Sequence, residues 1–153
     1  MIYLLKFDKT SFSTLIMTQE ADYVMNGVKS EELIERFCML CGGTMEGKRK
    51  AICKRLGIVQ KAPILISERS LMLMFPVKDY YGVEYWVNYR GINQIKQYQY
   101  KQCTIFFKNQ RSIVLHMDYR SFMRQIKRCK LYFEVLMMGE EDLEAYILKE
   151  VMK

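Results

Sequence analysis

Between Lys48 and Lys61 the chain places six cations, Lys48, Arg49, Lys50, Lys54, Arg55 and Lys61, with no acidic side chain among them. A second stretch, Gly91 to Lys130, holds nine cations, Arg124, Lys127 and Arg128 among them, against the single Asp118. The whole chain carries only +7, so everything outside these two blocks is acidic on balance. Lys and Arg offer donors and no acceptor and stay charged at neutral pH. Cations segregated this way predict one electropositive face, and the chemistry such a face serves best is neutralisation of nucleic-acid phosphate. The plainer reading is a soluble basic protein whose charges are merely solvated.

Other reactive side chains are sparse. Cys38 and Cys41 form a C-x-x-C, the spacing of zinc knuckles and redox pairs, but a structural zinc site needs two more ligands. Cys53, Cys103, Cys129 and His116 would have to be gathered from scattered places. The pair falls on a predicted helix, where Cys acts as a small hydrophobe, so core packing is the favoured reading over metal or redox use. Five cysteines, an odd number, and a first segment that reads as a strand rather than a signal peptide point to a reducing cytoplasm. His116 alternates with Leu115 and Met117 along a predicted strand, as a surface or partnered side chain does. No paired-carboxylate, phosphate-loop or metal-ligand constellation stands out, so no enzyme activity and no cofactor are expected.

These residues must be held by one continuous fold. The chain has 153 residues, half of them hydrophobic, and no repeat or linker divides it; a single domain over 1–153 is expected, with 139–153 a short C-terminal helical extension. No apolar run reaches membrane-spanning length. Short apolar segments predict strands at Ile2 to Phe7, Phe12 to Met17 and Tyr23 to Met25. Ser30 is read as the cap of a helix with the stripe Leu33, Ile34, Phe37, Cys38 and Cys41, ended by Gly42-Gly43. Ala62 to Ile66 and Leu71 to Phe75 predict two strands, the second closed by Pro76, followed by Tyr85 to Tyr89 and Ile92 to Tyr98. Cys103 to Phe107 and Ser112 to Met117 form the clearest hairpin, with Asn109 suited to a left-handed turn. From Asp118, a predicted N-cap, Phe122, Ile126, Cys129, Phe133, Leu136 and Met137 recur at helical steps opposite Arg120, Arg124, Lys127 and Arg128. Gly139 is expected to break this helix before a last one that starts at Glu140, Glu141 and Asp142. The fold class is α+β, a mainly antiparallel sheet with one helix in the N-terminal third and two at the C-terminus.

The runs Cys38-Met39-Leu40-Cys41-Gly42, Gly47-Lys48-Arg49, Lys61-Ala62-Pro63-Ile64 and Leu73-Met74-Phe75-Pro76 resemble the core of the ComK competence transcription factors of Gram-positive bacteria. Trp86, Thr104 to Asn109, and Ser121-Phe122 followed by Gln125 and Arg128 keep the same order. Where the family has an aromatic residue before the first glycine this chain has Cys41, which makes the C-x-x-C incidental.

The resemblance implies a bacterial activator of DNA-uptake genes, cytoplasmic and nucleoid-associated, that binds AT-rich duplex DNA through the minor groove as a homodimer, two dimers per site. It also implies a C-terminal extension, tied in longer members to adaptor-mediated proteolysis and shortened here to the last helix. Lys48-Arg49-Lys50, after Gly42, Gly43 and Gly47, then reads as a flexible insertion loop, because narrow A-tract grooves attract Arg and Lys. Lys48 and Arg49 are assigned to the groove, and Lys54, Arg55, Lys61, Arg124, Lys127 and Arg128 to flanking phosphates. Tyr98 and Tyr100 stand beside Lys96 and Lys101 as candidates for stacking or sugar contact. Two other classes compete: a single-stranded nucleic-acid binder using the eight Phe, eleven Tyr and one Trp, and a partner- or membrane-surface protein using the amphipathic Arg120 to Met137.

Overall fold

Alternation of apolar side chains builds a sheet buried on both faces. In the computed structural model, which describes residues 1–136 and 140–152, six antiparallel strands run in the order β3-β2-β1-β6-β5-β4. They are β1 (Ile2–Asp8), β2 (Ser13–Thr18), β3 (Asp22–Asn26), β4 (Ile64–Ser67), β5 (Met72–Lys78) and β6 (Glu84–Asn88). Neighbouring residues point to opposite faces, so Leu4, Leu73, Phe75 and Val87 join one core, and Leu5, Met74 and Trp86 join the other.

The first core is closed by a three-stranded sheet, β7 (Ile92–Gln99), β8 (Gln102–Phe107) and β9 (Ser112–Leu115), and by α3 (Tyr119–Leu136). Ile105, Phe107, Phe122 and Cys129 fill it, with Tyr3 stacked on Phe107 at 4.8 Å and Phe122 edge-on to Phe75 at 5.5 Å. The second core is closed by α1 (Ser30–Leu40) through Leu33, Ile34 and Cys38. A last helix, α4 (Glu140–Val151), follows α3. The α+β class and the antiparallel sheet agree with the sequence, and so does Asp118 as the cap before α3, its carboxylate accepting the Arg120 N–H at 2.9 Å. Met137 and Gly139 lie outside the described residues.

The helix count differs. Two helices stand in the N-terminal third, not one, because the segment read as a flexible basic loop is α2 (Met45–Leu56). Thr44 caps it, its hydroxyl accepting the Gly47 N–H at 3.1 Å, and Gly57 ends it with φ +66°. Run of cations or not, Met45 and Ile52 are buried, and they fasten the helix to the two cores around the β4 edge.

Smaller corrections have local causes. The cap of α1 is Lys29 in extended conformation, without a side-chain bond, while Ser30 is the first helical residue and is buried. Pro76 does not close its strand: β5 continues to Lys78 with Pro76 opposite Trp86. Pairing with β4 ends at Met74, so the missing proline N–H falls on an unpaired edge. In the β8–β9 turn the left-handed residue is Gln110 at φ +70°, and Asn109 instead accepts the Arg111 N–H at 3.1 Å.

Candidate nucleic-acid interface

The unpaired edge beyond Met74 is where the cations meet. Gln125, buried on α3, donates through Nε2 to the carbonyls of Lys61 at 2.9 Å and Pro76 at 2.7 Å. Its Oε1 accepts from Arg128 at 3.2 Å, and the same guanidinium nitrogen reaches the Gln60 carbonyl at 3.0 Å. A buried amide with each end satisfied fixes the geometry around it. The segment Val59–Lys61 is thereby clamped against α3, with Lys61 at φ +54°, a left-handed conformation uncommon outside glycine.

Three concavities meet at this segment. One, of about 300 Å³, is lined by Lys61, Lys78, Arg124 and Arg128, with Tyr80, Asp118 and Ser121. A second, of about 600 Å³, lies between Gly57–Gln60 and the α3 side chains Arg124, Lys127, Arg128 and Leu131. The third, of about 380 Å³, puts Arg49 and Lys61 beside Lys78, Trp86 and the acidic Glu31 and Glu84. Arg49 on one side and Arg124, Lys127 and Arg128 on the other, drawn from both basic blocks, thus flank the same segment, with Lys61 lining a concavity on each side. Lys78 joins them although no sequence signal marked it: it falls between the blocks and is followed by Asp79.

Arg49 pairs with Glu31 at 3.4 Å, both well exposed. An exposed pair of that length is worth at most about 1 kcal/mol, so a phosphate competes for the guanidinium at small cost. Four of the nine candidate residues lie elsewhere. Lys48 turns inward, its Nζ donating to the carbonyls of Leu65 and Ile66 at 2.8 Å each. Lys50 is exposed and pairs with Glu46 at 3.2 Å along α2. Lys54 is exposed too, one turn on. Arg55 lines a different hollow, between α2, α3 and α4, with Asp142 and Tyr146. Tyr100 is exposed at the β7–β8 turn, and the side chain of Tyr98 lies outside the described residues.

The buried thiols, Cys38, Cys103 and Cys129, are packing groups. Burial raises the pKa of Cys38 and Cys129 and pushes Cys103 up to about 11, which leaves them protonated and poorly nucleophilic at neutral pH. Cys41 is exposed while Cys38 is buried. His116 is half-buried, its ring 3.4 Å from the Gln102 amide and edge-on to Tyr81 at 5.3 Å. Among the described residues no group of three His, Cys, Asp or Glu could hold a metal ion, and no helix is long and apolar enough to cross a membrane.

No solved structure matches the chain. A protein called "Competence transcription factor" from Bacillus subtilis (strain 168) is 20% identical over 114 residues, covering 74% of this chain and 59% of the relative. The chain therefore spans well under two thirds of that relative's length. The family model described as ComK protein matches residues 1–139, from β1 past the end of α3, and so takes in both cationic blocks and every element that forms their meeting surface. On that match the chain belongs to the ComK family.

Proposed function

We propose that this protein is a DNA-binding transcriptional activator of competence genes, reading AT-rich promoter duplexes through the minor groove. The observation that carries the reading is the convergence of Arg49, Lys61, Lys78, Arg124, Lys127 and Arg128 on the clamped segment Val59–Lys61. Cations on rigid elements bind phosphate without first having to be ordered. Family membership and a relative named as a competence transcription factor support the same reading.

In this assignment Arg49 enters the groove. It stands at the rim beside Lys61 with only an exposed carboxylate to leave, and guanidinium is the more weakly hydrated cation. The minor-groove edge of an A·T pair presents only acceptors, which suits a pure donor. Lys61, Lys78, Arg124, Lys127 and Arg128 neutralise phosphates on either side, and Lys50 and Lys54 extend the contact along α2. Lys48 and Arg55 serve the fold. A homodimer fits the described part of α4, whose Leu143, Ile147, Leu148 and Val151 are all exposed; a proteolysis adaptor would find the same handle.

Gel-shift titrations test the reading. A duplex with two A/T tracts should bind more tightly than a G·C duplex of equal length. With about six phosphates neutralised, log affinity should fall against log salt with a slope near −5. Equal affinity for both duplexes would remove the groove reading, and no salt dependence would remove DNA binding altogether.

A further inference from the structure

Beside the concavity lined by Lys61, Lys78, Arg124 and Arg128 three tyrosines stand in water: Tyr80 is 53% exposed, Tyr81 77% and Tyr100 83%. They form one strip. The Lys101 Nζ lies 4.9 Å from the Tyr80 ring centre and 5.3 Å from that of Tyr100. Tyr81 leans on His116, whose carbonyl accepts the Tyr80 N–H at 2.9 Å. Tyr80 also lines the concavity that holds Lys78, Arg124 and Arg128, so the aromatic strip and the cationic surface are continuous. Single exposed aromatics are ordinary on a protein surface; two that flank one lysine, with a third beside them on His116, at the edge of a cationic hollow mark a binding surface.

The backbone holds the rings in place. Asp79 is buried, and its Oδ1 accepts the N–H groups of Tyr81 and Val83 at 2.9 Å each. The Asp79 N–H donates to the Val83 carbonyl at 3.0 Å, and Gly82 turns the chain at φ +80°. Across the strip, Lys101 takes φ +58° at the tip of the β7–β8 turn, a conformation unfavourable for a side chain of its size, and that turn presents Tyr100.

We propose that this strip is a stacking platform for unpaired DNA bases, so that the protein holds a junction between duplex and single strand more tightly than a blunt duplex. The inference rests on the DNA-binding reading above. Tyrosine rings cannot reach the faces of bases stacked in a helix, but they stack on any unpaired base regardless of sequence. The neighbouring concavity supplies the phosphate contacts of the duplex end, and Lys101 those of the emerging strand.

Three fluorescently labelled probes test it by anisotropy at one salt concentration: a blunt A/T duplex, the same duplex with a single-stranded thymidine tail, and the same duplex with an abasic tail of equal length. The thymidine tail should bind ~5- to 150-fold more tightly than the abasic tail, which carries the same phosphates without bases. Tyr80→Ala/Tyr81→Ala/Tyr100→Ala should erase that difference, with each variant's own blunt-duplex affinity as its reference, whereas the matching Phe variant should keep it. Equal binding of the two tails by the unaltered protein overturns the platform while leaving duplex binding intact. Loss in the Phe variant equal to that in the Ala variant also overturns it, assigning the strip to hydroxyl contacts with phosphate. Failure to bind the blunt duplex overturns the DNA-binding reading itself.

Discussion

Gln125 joins three parts of the chain, since its amide ties the Lys61 and Pro76 carbonyls to α3 and holds Arg128 beside them. Gln125→Ala leaves two part-buried carbonyls at this edge without that donor, at about 1–3 kcal/mol. Its thermal midpoint should drop by about 5 °C, a shift that calorimetry resolves; an unchanged midpoint would mean the clamp is idle. Arg111 makes the corresponding tie on the opposite side, with Asp22 at 2.6 and 2.8 Å and the Thr18 carbonyl at 3.2 Å. Hydrogen bonding to the Arg111 guanidinium holds the Asp22 carboxyl below its ordinary value of 3.8. A depressed pKa stabilises the fold above pH 3.8 and loses that contribution as pH falls through the folded value. Asp22→Asn should therefore cost less than about 1 kcal/mol at neutral pH for so exposed a pair, and nothing once acid has protonated both states. Urea unfolding should show the difference at pH 7 and a smaller one as the pH is taken below 3.8. At this scale charge was legible in the sequence, direction was not. Lys48 and Arg49 are adjacent in a basic run, yet a 100° step around α2 sends one to the carbonyls of β4 and the other to the rim beside Lys61.

α2 is the element whose character decides what the basic run can do. As a loose loop it would have to be ordered on binding; as a capped helix it offers Arg49 from a fixed base. Thr44→Ala removes the side-chain acceptor of the Gly47 N–H and should cost about 1 kcal/mol. Hydrogen exchange should then quicken at the first turn of α2, while Ile52 and Cys53 stay protected by the core they pack against. Uniformly fast exchange across residues 45–56 in the unaltered protein would contradict the helix. The strands were legible because period-two apolar runs bounded by turn residues leave few alternatives, and α3 was legible from its stripe and from Asp118. α2 was not, because only Met45 and Ile52 are buried and the cations between them hide that signal; its cap and its terminal Gly57 were the readable marks. β5 ran past Pro76 because the neighbouring strand had already ended, a fact of topology that local sequence does not carry.

Across the whole molecule, two basic blocks far apart in sequence meet because β4 and β5 bring Lys61 and Lys78 beside α3, and α2 brings Arg49 to the same edge. Lys9, Lys29 and Lys108 line none of these concavities, so the same charge can be removed from two different places. The direct measurement is the salt dependence of binding to an A/T duplex by Lys61→Gln/Lys78→Gln/Arg124→Gln and by Lys9→Gln/Lys29→Gln/Lys108→Gln, which have equal net charge. Each lost phosphate contact flattens the slope by about one. The first variant should lose close to three of a slope near −5, and the second should keep the slope of the unaltered protein. Equal slopes in the two variants would contradict a localised interface and reduce the basic charge to a diffuse attraction.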